Sequence, residues 1–252
     1  MNRPLALVIG AAGGIGAATA ALLAEQGAAV WACDVRDTAP MVSTLPGGGH
    51  RSSLLDVTDA AAVDDLIAHT WRTDNLTAIA YTPGVLTSGP VADLNVGEVN
   101  RTLGVNLVGA MSLATAVHRQ LRAAARPLSI VFLSSVAGLR GEGGGSLYCA
   151  SKFGLVGFAQ SFAAEVAEHG VRVNTVCPGN VDTPMLRELA EIVAARKESS
   201  PDAVLNQFAA ASAFNRLITP RQVADVCGWL LTGPSSGISG QSIVVDGPPS
   251  LT

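Results

Sequence analysis

Short apolar, β-branched runs alternate with longer alanine- and leucine-rich segments along this chain, and that alternation admits few folds. Runs at 5–10 (LALVIG), 28–34 (AAVWACD), 50–56 (HRSSLLD), 76–82 (LTAIAYT), 128–135 (LSIVFLSS), 171–178 (VRVNTVCP) and 241–247 (QSIVVDG) read as strands. Helical periodicity covers 14–26, 59–72, 98–124, 147–169 and 220–232, with a weaker helical stretch over 184–212. Strands alternating with helices build βαβ units and a parallel sheet. The expectation is an α/β fold: a doubly wound, parallel, seven-stranded sheet flanked by helices. No linker or low-complexity tract divides it, so residues 1–252 form one domain. The glycine runs at 47–49 and 141–145 are loops, because glycine costs too much backbone entropy inside regular elements. The stretch 183–218 exceeds the usual αβ connection of about 2–6 residues and is expected to be a substrate-covering lid, a plain surface insertion being the alternative.

Composition excludes several classes. Hydrophobic residues make up 48% and charged ones 14%, and the net charge is -4, which argues against disorder and against nucleic-acid binding. No uninterrupted apolar stretch reaches about 18 residues, so no membrane span is expected. The start, MNRPLALVIG, runs straight into a strand, without the pattern of a secretory leader. Cys33, Cys149, Cys177 and Cys227 are widely spaced and His50, His69, His118 and His169 are scattered. Reduced thiols in a cytoplasmic protein, with no metal, are expected.

The first strand ends at Gly10, and Gly13, Gly14, Ile15 and Gly16 lead into an alanine-rich helix. Glycines there permit a tight turn and close backbone approach to a pyrophosphate, while the helix N-terminus offers N–H groups. Asp34 closes the second strand, where an acid would hold the adenosine ribose. A carboxylate accepts hydrogen bonds from a free 2′-hydroxyl and repels a 2′-phosphate, so NAD is expected rather than NADP. Arg36, two positions on, is the one basic residue able to bend toward a phosphate.

The spacing Gly10-x-x-x-Gly14-x-Gly16, with Ser135, Tyr148-x-x-x-Lys152, Asn106 in LGVNLVG, Pro178-Gly179 in VCPGNVDTPM, and GQSIVVDG near the end, resembles the short-chain dehydrogenase/reductase family. The resemblance runs from about Leu5 to Gly247 and implies a Rossmann-type fold and an NAD(H)-dependent oxidoreductase interconverting a secondary alcohol and a ketone. It also implies roles. Tyr148 is the general acid/base, and Ser135 holds the substrate oxygen. Lys152 also binds the nicotinamide ribose, and Asn106 fixes a proton-relaying water. Val181 and Thr183 contact the carboxamide, and Asp56 meets the adenine amino group, unless Asp56 simply caps the following helix. Ile15, Val57 and Gly84 complete the expected cofactor contacts. The sequence departs from the family twice: Ile9 stands where a threonine hydroxyl ties the turn to a neighbouring strand, and Tyr81-Thr82-Pro83-Gly84 replaces an NNAG motif that braces the sheet and the adenosine pocket. Pro83 has no N–H to give.

The chemistry follows from spacing as well. Lys152 lies at i+4 from Tyr148, on the same helix face. A nearby ammonium favours the tyrosinate, so Lys152 is expected to draw the phenol below its ordinary value of about 10. Cys149 reads as a small packing residue. The pocket wall, comprising 136–146, 180–186 and 85–93, is mostly small or apolar, with Arg140 and Arg187 the nearby cations. A small, largely apolar or cyclic alcohol or ketone fits it. The apolar circumference of 98–124 and 147–169 predicts helices that are buried. By family resemblance they pair across a two-fold axis in a homotetramer, a dimer being the alternative, with the tail GPPSLT meeting a neighbour. Competing readings are a 3-oxoacyl-carrier reductase, which Asp34 disfavours, and a non-catalytic NAD-binding sensor, which the presence of both Tyr148 and Lys152 disfavours. An enoyl reductase would space tyrosine and lysine more widely.

Overall fold

The computed structural model describes residues 3–246. Seven strands form one sheet: β1 (Leu5–Ile9), β2 (Ala29–Asp34), β3 (Arg51–Leu54), β4 (Leu76–Tyr81), β5 (Leu128–Leu133), β6 (Val171–Pro178) and β7 (Ser242–Val245), in the order β3-β2-β1-β4-β5-β6-β7. Every pairing is parallel. The expected sheet is thus observed. Gly247 and the tail GPPSLT lie outside the described residues.

The helices are α1 (Gly14–Glu25), α2 (Ala39–Val42), α3 (Ala60–Thr73), α4 (Val96–Leu103), α5 (Gly109–Ala123), α6 (Ser146–Val166), α7 (Pro184–Lys197), α8 (Pro201–Ala211) and α9 (Pro220–Leu231). The period-two alternation of β1 sorts them into layers. Leu5, Leu7 and Ile9 pack with Val63 and Ile67 of α3, Leu113 and Val117 of α5, and Leu155 of α6. Ala6 and Val8 face Ala20 and Leu23 of α1 and Val223, Cys227 and Leu230 of α9. Each fully buried Leu, Ile or Phe contributes roughly 1.5–3 kcal/mol. The α1–α9 layer sits close: a Cβ on Gly228 would lie 2.6 Å from Leu22 Cδ2.

Two helical spans differ from expectation. The span 98–124 is α4 and α5 joined by a π turn over Gly104–Val108, and α4 begins at Val96 behind a capping box of Asn95 and Glu98. The span 184–212 is two helices, because Glu198 adopts a left-handed φ of 50° and Ser200 caps α8. Thr183-Pro184, Ser200-Pro201 and Thr219-Pro220 each place a hydroxyl N-cap before a proline whose missing N–H costs the helix nothing.

The helices α7 and α8 share a small core of Ala190, Ala194 and Val204. A parallel bridge, Val181 to Ile218, closes the neck of this excursion; Asp182 N–H donates to Ile218 O at 2.8 Å and Ile218 N–H to Asn180 O at 2.9 Å. The strand order reverses between β1 and β4, so the turns after both strands open onto one crevice, where ligands bind in such sheets.

Candidate active site

A cavity of about 730 Å³ runs along this crevice. Gly10, Gly14, Ile15, Gly16, Asp34, Asp56, Val57, Gly84, Ser135, Tyr148, Lys152, Pro178, Gly179, Val181 and Thr183 all line it. Asn106 stands just behind the wall, fully buried.

At one end is the glycine turn. Gly10 takes a φ of +83°, and a Cβ on Gly16 would lie 2.1 Å from Gly10 O, so neither position admits a side chain without distortion. No side chain caps α1 and no acidic residue occupies its first turn. This is the environment an anionic pyrophosphate fits. Asp34, 7% exposed, accepts from Ala12 N–H at 3.0 Å and from Arg36 N–H at 3.0 Å. The Arg36 guanidinium turns back onto Asp34 at 3.5 Å while remaining 64% exposed. Asp56 accepts from the N–H and hydroxyl of Thr58, which holds its carboxyl below the usual range. The N-cap of α3 is Asp59, so the capping alternative for Asp56 is corrected.

The two family departures meet in space. Thr82 N–H donates to Ile9 O at 2.9 Å, and its hydroxyl lies 2.8 Å from Ile9 O and 3.1 Å from Gly10 O. The strand tie is present, with its hydroxyl carried by the neighbouring strand. Pro83 therefore leaves no gap in it. Tyr81 is buried at 1% exposure and donates its hydroxyl to Val105 O at 2.7 Å.

Deeper in, β5 and α6 present the reactive groups. Ser135 caps a short turn, accepting from Ala137 N–H at 3.2 Å, with its hydroxyl directed at Pro178 O 3.5 Å away and near enough to Tyr148 to favour the ionised phenol. Lys152, 3% exposed, donates to Leu133 O at 2.8 Å, with Nζ 5.7 Å from the Tyr148 ring centroid. Ser134 Oγ bonds Lys152 O at 3.2 Å and bolts α6 to the end of β5. Asn106 Oδ1 accepts from Val85 N–H at 2.8 Å, and its Nδ2 donates to Val85 O and Ser151 Oγ, both at 3.0 Å.

Charges differ from expectation at the phenol. Burial pushes Tyr148 up to about 12, against the lowering effect of the Ser135 hydrogen bond, and the Glu142 carboxylate adds to the rise. Burial draws Lys152 down to about 8, the nearby Cys177 opposing it. The Lys152 ammonium does not offset the rise at Tyr148: it is itself buried and donates to the Leu133 carbonyl, its Nζ 5.7 Å from the ring centroid.

On the far side, Pro178-Gly179 presses the end of β7: a Cβ on Gly179 would lie 2.1 Å from Asp246 Oδ2. Asp246 Oδ1 in turn holds Ser212 Oγ at 2.9 Å, which anchors the end of α8. Thr183 caps α7, accepting from Leu186 N–H at 3.3 Å, and its methyl stands 3.1 Å from a Cβ on Gly14. Its hydroxyl thus already serves the helix. The wall predicted from 136–146, 180–186 and 85–93 is extended by Leu189 and Val193 of α7 and Phe208 of α8. Arg140 and Arg187 are not among the lining residues; Arg101, Glu142 and Glu188 are. Arg196, at the end of α7, clasps Ser88 through both its carbonyl and its hydroxyl. Thr82, Tyr81 and Arg196 escape sequence reasoning, although the paired departures at Ile9 and Thr82 were a signal, since both residues end neighbouring strands.

The residues present fit a nicotinamide dinucleotide: a side-chain-free turn at a helix N-terminus, a strand-end carboxylate, and a phenol, hydroxyl and ammonium at the other end of one cleft. Among the described residues, no helix is long and apolar enough to cross a membrane. The family model described as Enoyl-(Acyl carrier protein) reductase matches residues 10–247. Cis-4-hydroxycyclohexanecarboxylate dehydrogenase of Sinomonas cyclohexanicum is 36% identical, over 96% of this chain and 95% of its own. Short-chain reductase protein NovJ of Streptomyces niveus is 35% identical, over 98% and 94%. The crystal structure of an actinorhodin polyketide ketoreductase variant with NADPH superposes with a TM-score of 0.88 at 26% identity, covering 97% of each chain. By its fold, its glycine turn, its Ser135, Tyr148 and Lys152, and these matches, the chain belongs to the short-chain dehydrogenase/reductase family of oxidoreductases.

Proposed function

We propose that this chain is an NAD(H)-dependent oxidoreductase that interconverts a secondary alcohol and a ketone, with Tyr148 as general acid/base. The observation that carries this reading is that Ser135, Tyr148 and Lys152 line one glycine-walled cleft, with Lys152 Nζ 5.7 Å from the Tyr148 ring centroid. A bound NADH supplies the hydride that reaches the carbonyl carbon. Ser135 donates to the substrate oxygen and holds it against the phenol. Tyr148, kept protonated by burial, gives its proton to that oxygen as the alcohol forms. Lys152 steadies the tyrosinate left behind and holds the nicotinamide ribose. Asn106 keeps the Gly84–Val85 wall in place beside Lys152 and orders the water through which the proton is restored. In the oxidative direction each transfer reverses.

Asp34 supports NAD over NADP. Its carboxylate occupies the ribose end of the cleft, and Arg36 is turned back onto it. Gly14, Ile15 and Gly16 would hold the pyrophosphate, and Asp56 and Val57 would meet the adenine. Pro178, Gly179, Val181 and Thr183 border the nicotinamide, and Thr183 contributes its backbone and methyl group. Leu86, Val136, Met185, Leu189 and Phe208 favour a small, largely apolar or cyclic substrate. Residues 183–218 act as the lid over it. Exposed Val108 and Phe153, the latter 45% accessible on α6, suit a subunit contact in a homotetramer, with a dimer as the smaller alternative. A cytoplasmic location fits four free, buried thiols.

The test is a panel of secondary alcohols and ketones followed by NADH absorbance. Turnover is expected with wild type and lost in Tyr148→Phe, with NADH affinity nearly unchanged. Substantial residual rate in that variant removes the phenol from the mechanism. Asp34→Ala is expected to erode the preference for NAD; an unchanged preference refutes the cofactor assignment.

A further inference from the structure

The residue Tyr81 stands where the family carries an asparagine, and its phenol does something an asparagine is too short to do. It leaves the end of β4, packs against Phe132 with ring centroids 5.8 Å apart, and delivers its hydroxyl to Val105 O at 2.7 Å. That carbonyl belongs to the π turn Gly104–Val108, where Gly109 N–H reaches back to Gly104 O and the ordinary helical ladder is interrupted. A π turn is a costly local geometry, and it needs outside partners to hold it. Gly109 makes room: a Cβ there would lie 2.5 Å from Tyr81 Oη.

The next residue along the turn is Asn106. Its carboxamide grips both the N–H and the C=O of Val85 and also bonds Ser151 Oγ, which bonds Tyr148 O at 2.7 Å. Just before Val85, a Cβ built on Gly84 would lie 3.6 Å from Lys152 Nζ and 3.7 Å from Asn106 Oδ1. One line of contacts therefore runs from Tyr81 to the proton-handling end of the cleft. Buried as it is, Tyr81 stays a neutral phenol, its ionisation pushed far above the ordinary range. Its role is that of a fixed donor.

We propose that Tyr81 is a positioning residue for the reaction assigned above, acting through Val105 and the π turn to set Asn106 and the Gly84–Val85 wall against Lys152. The inference rests on that functional reading and adds a residue to it.

The experiment is amide hydrogen exchange across residues 104–109 in full-length Tyr81→Phe, beside kcat and KM measured against pH. Exchange in the turn should quicken about tenfold, the factor one lost buried hydrogen bond gives. The value of kcat should fall about tenfold, as small misplacements near a reacting centre do. KM for the cofactor should stay put, and the alkaline limb of the pH profile should move. Gly109→Ala, which keeps the phenol but pushes on its hydroxyl, should quicken exchange in the same turn. It decides the tie if Tyr81→Phe does not fold. Unchanged exchange in both variants overturns the tie. Faster exchange with unchanged kcat and pH profile overturns the positioning role. A wild-type chain inert toward every alcohol and ketone overturns the functional reading and the positioning role with it, whereas exchange in the variants then still reports whether Tyr81 holds the turn.

Discussion

The Thr82 hydroxyl lies 2.8 Å from the Ile9 carbonyl and bridges the ends of the two central strands, β1 and β4, at the point where the strand order reverses. It rests between the two glycines that shape the cofactor turn: a Cβ on either Gly10 or Gly16 would come within 2.7 Å of it. One polar group thus couples strand pairing to turn geometry.

Replacing Thr82 with valine keeps the shape and removes the hydroxyl. The Ile9 carbonyl retains its bond from Thr82 N–H, so the loss is expected at about 1 kcal/mol of stability. NADH affinity should weaken several-fold as the turn loosens. Chemical denaturation and NADH fluorescence titration measure the two effects; an unchanged dissociation constant would separate the tie from cofactor binding.

The pH dependence of reduction follows from Lys152. Its ammonium titrates near 8, and the proposed proton transfer calls for that charge beside the developing tyrosinate. Below that pH the residue is protonated, and kcat for ketone reduction should be level. Above it the rate should fall, approaching tenfold per unit. A rate that holds level to pH 10 would detach Lys152 from the proton transfer.

Stability runs the opposite way at the same residue. Lys152 titrates near 8 in the fold against an ordinary value of 10.5. Below pH 8 both folded and unfolded chains carry the proton, and the penalty for burying it is fully present. Between these values the unfolded chain binds more protons, so stability rises with pH. Lys152→Met should therefore abolish turnover while raising stability at neutral pH by about 1–3 kcal/mol. A destabilised variant would mean that the bond to Leu133 O outweighs desolvation.

The helical excursion over 183–218, the proposed lid, carries a clasp. Arg196 reaches from the end of α7 to Ser88, on the opposite wall. Arg196→Ala should raise KM for the ketone by about three- to tenfold and change stability by less than about 1 kcal/mol, because the contact is exposed. Steady-state kinetics with varied ketone at saturating NADH decides it, and an unmoved KM would leave the clasp without a role in substrate retention.

The alternation of apolar strands with alanine-rich helices was enough to specify the parallel sheet, because each pattern is a local statement about which faces must be buried. The glycine turn, Asp34, Ser135 and the four-residue step from Tyr148 to Lys152 were legible for the same reason: their geometry is set within one turn or one helix. Other features depended on residues far apart in the chain. Only the folded sheet brought Thr82 to Ile9 and Tyr81 to Val105, turning two apparent defects into contacts. The break at Glu198 and the π turn before Gly109 left only a weak trace in the hydrophobic period. The charge states, too, were decided by tertiary burial: helix spacing set Lys152 beside Tyr148, but desolvation of both groups determined which way each one titrates.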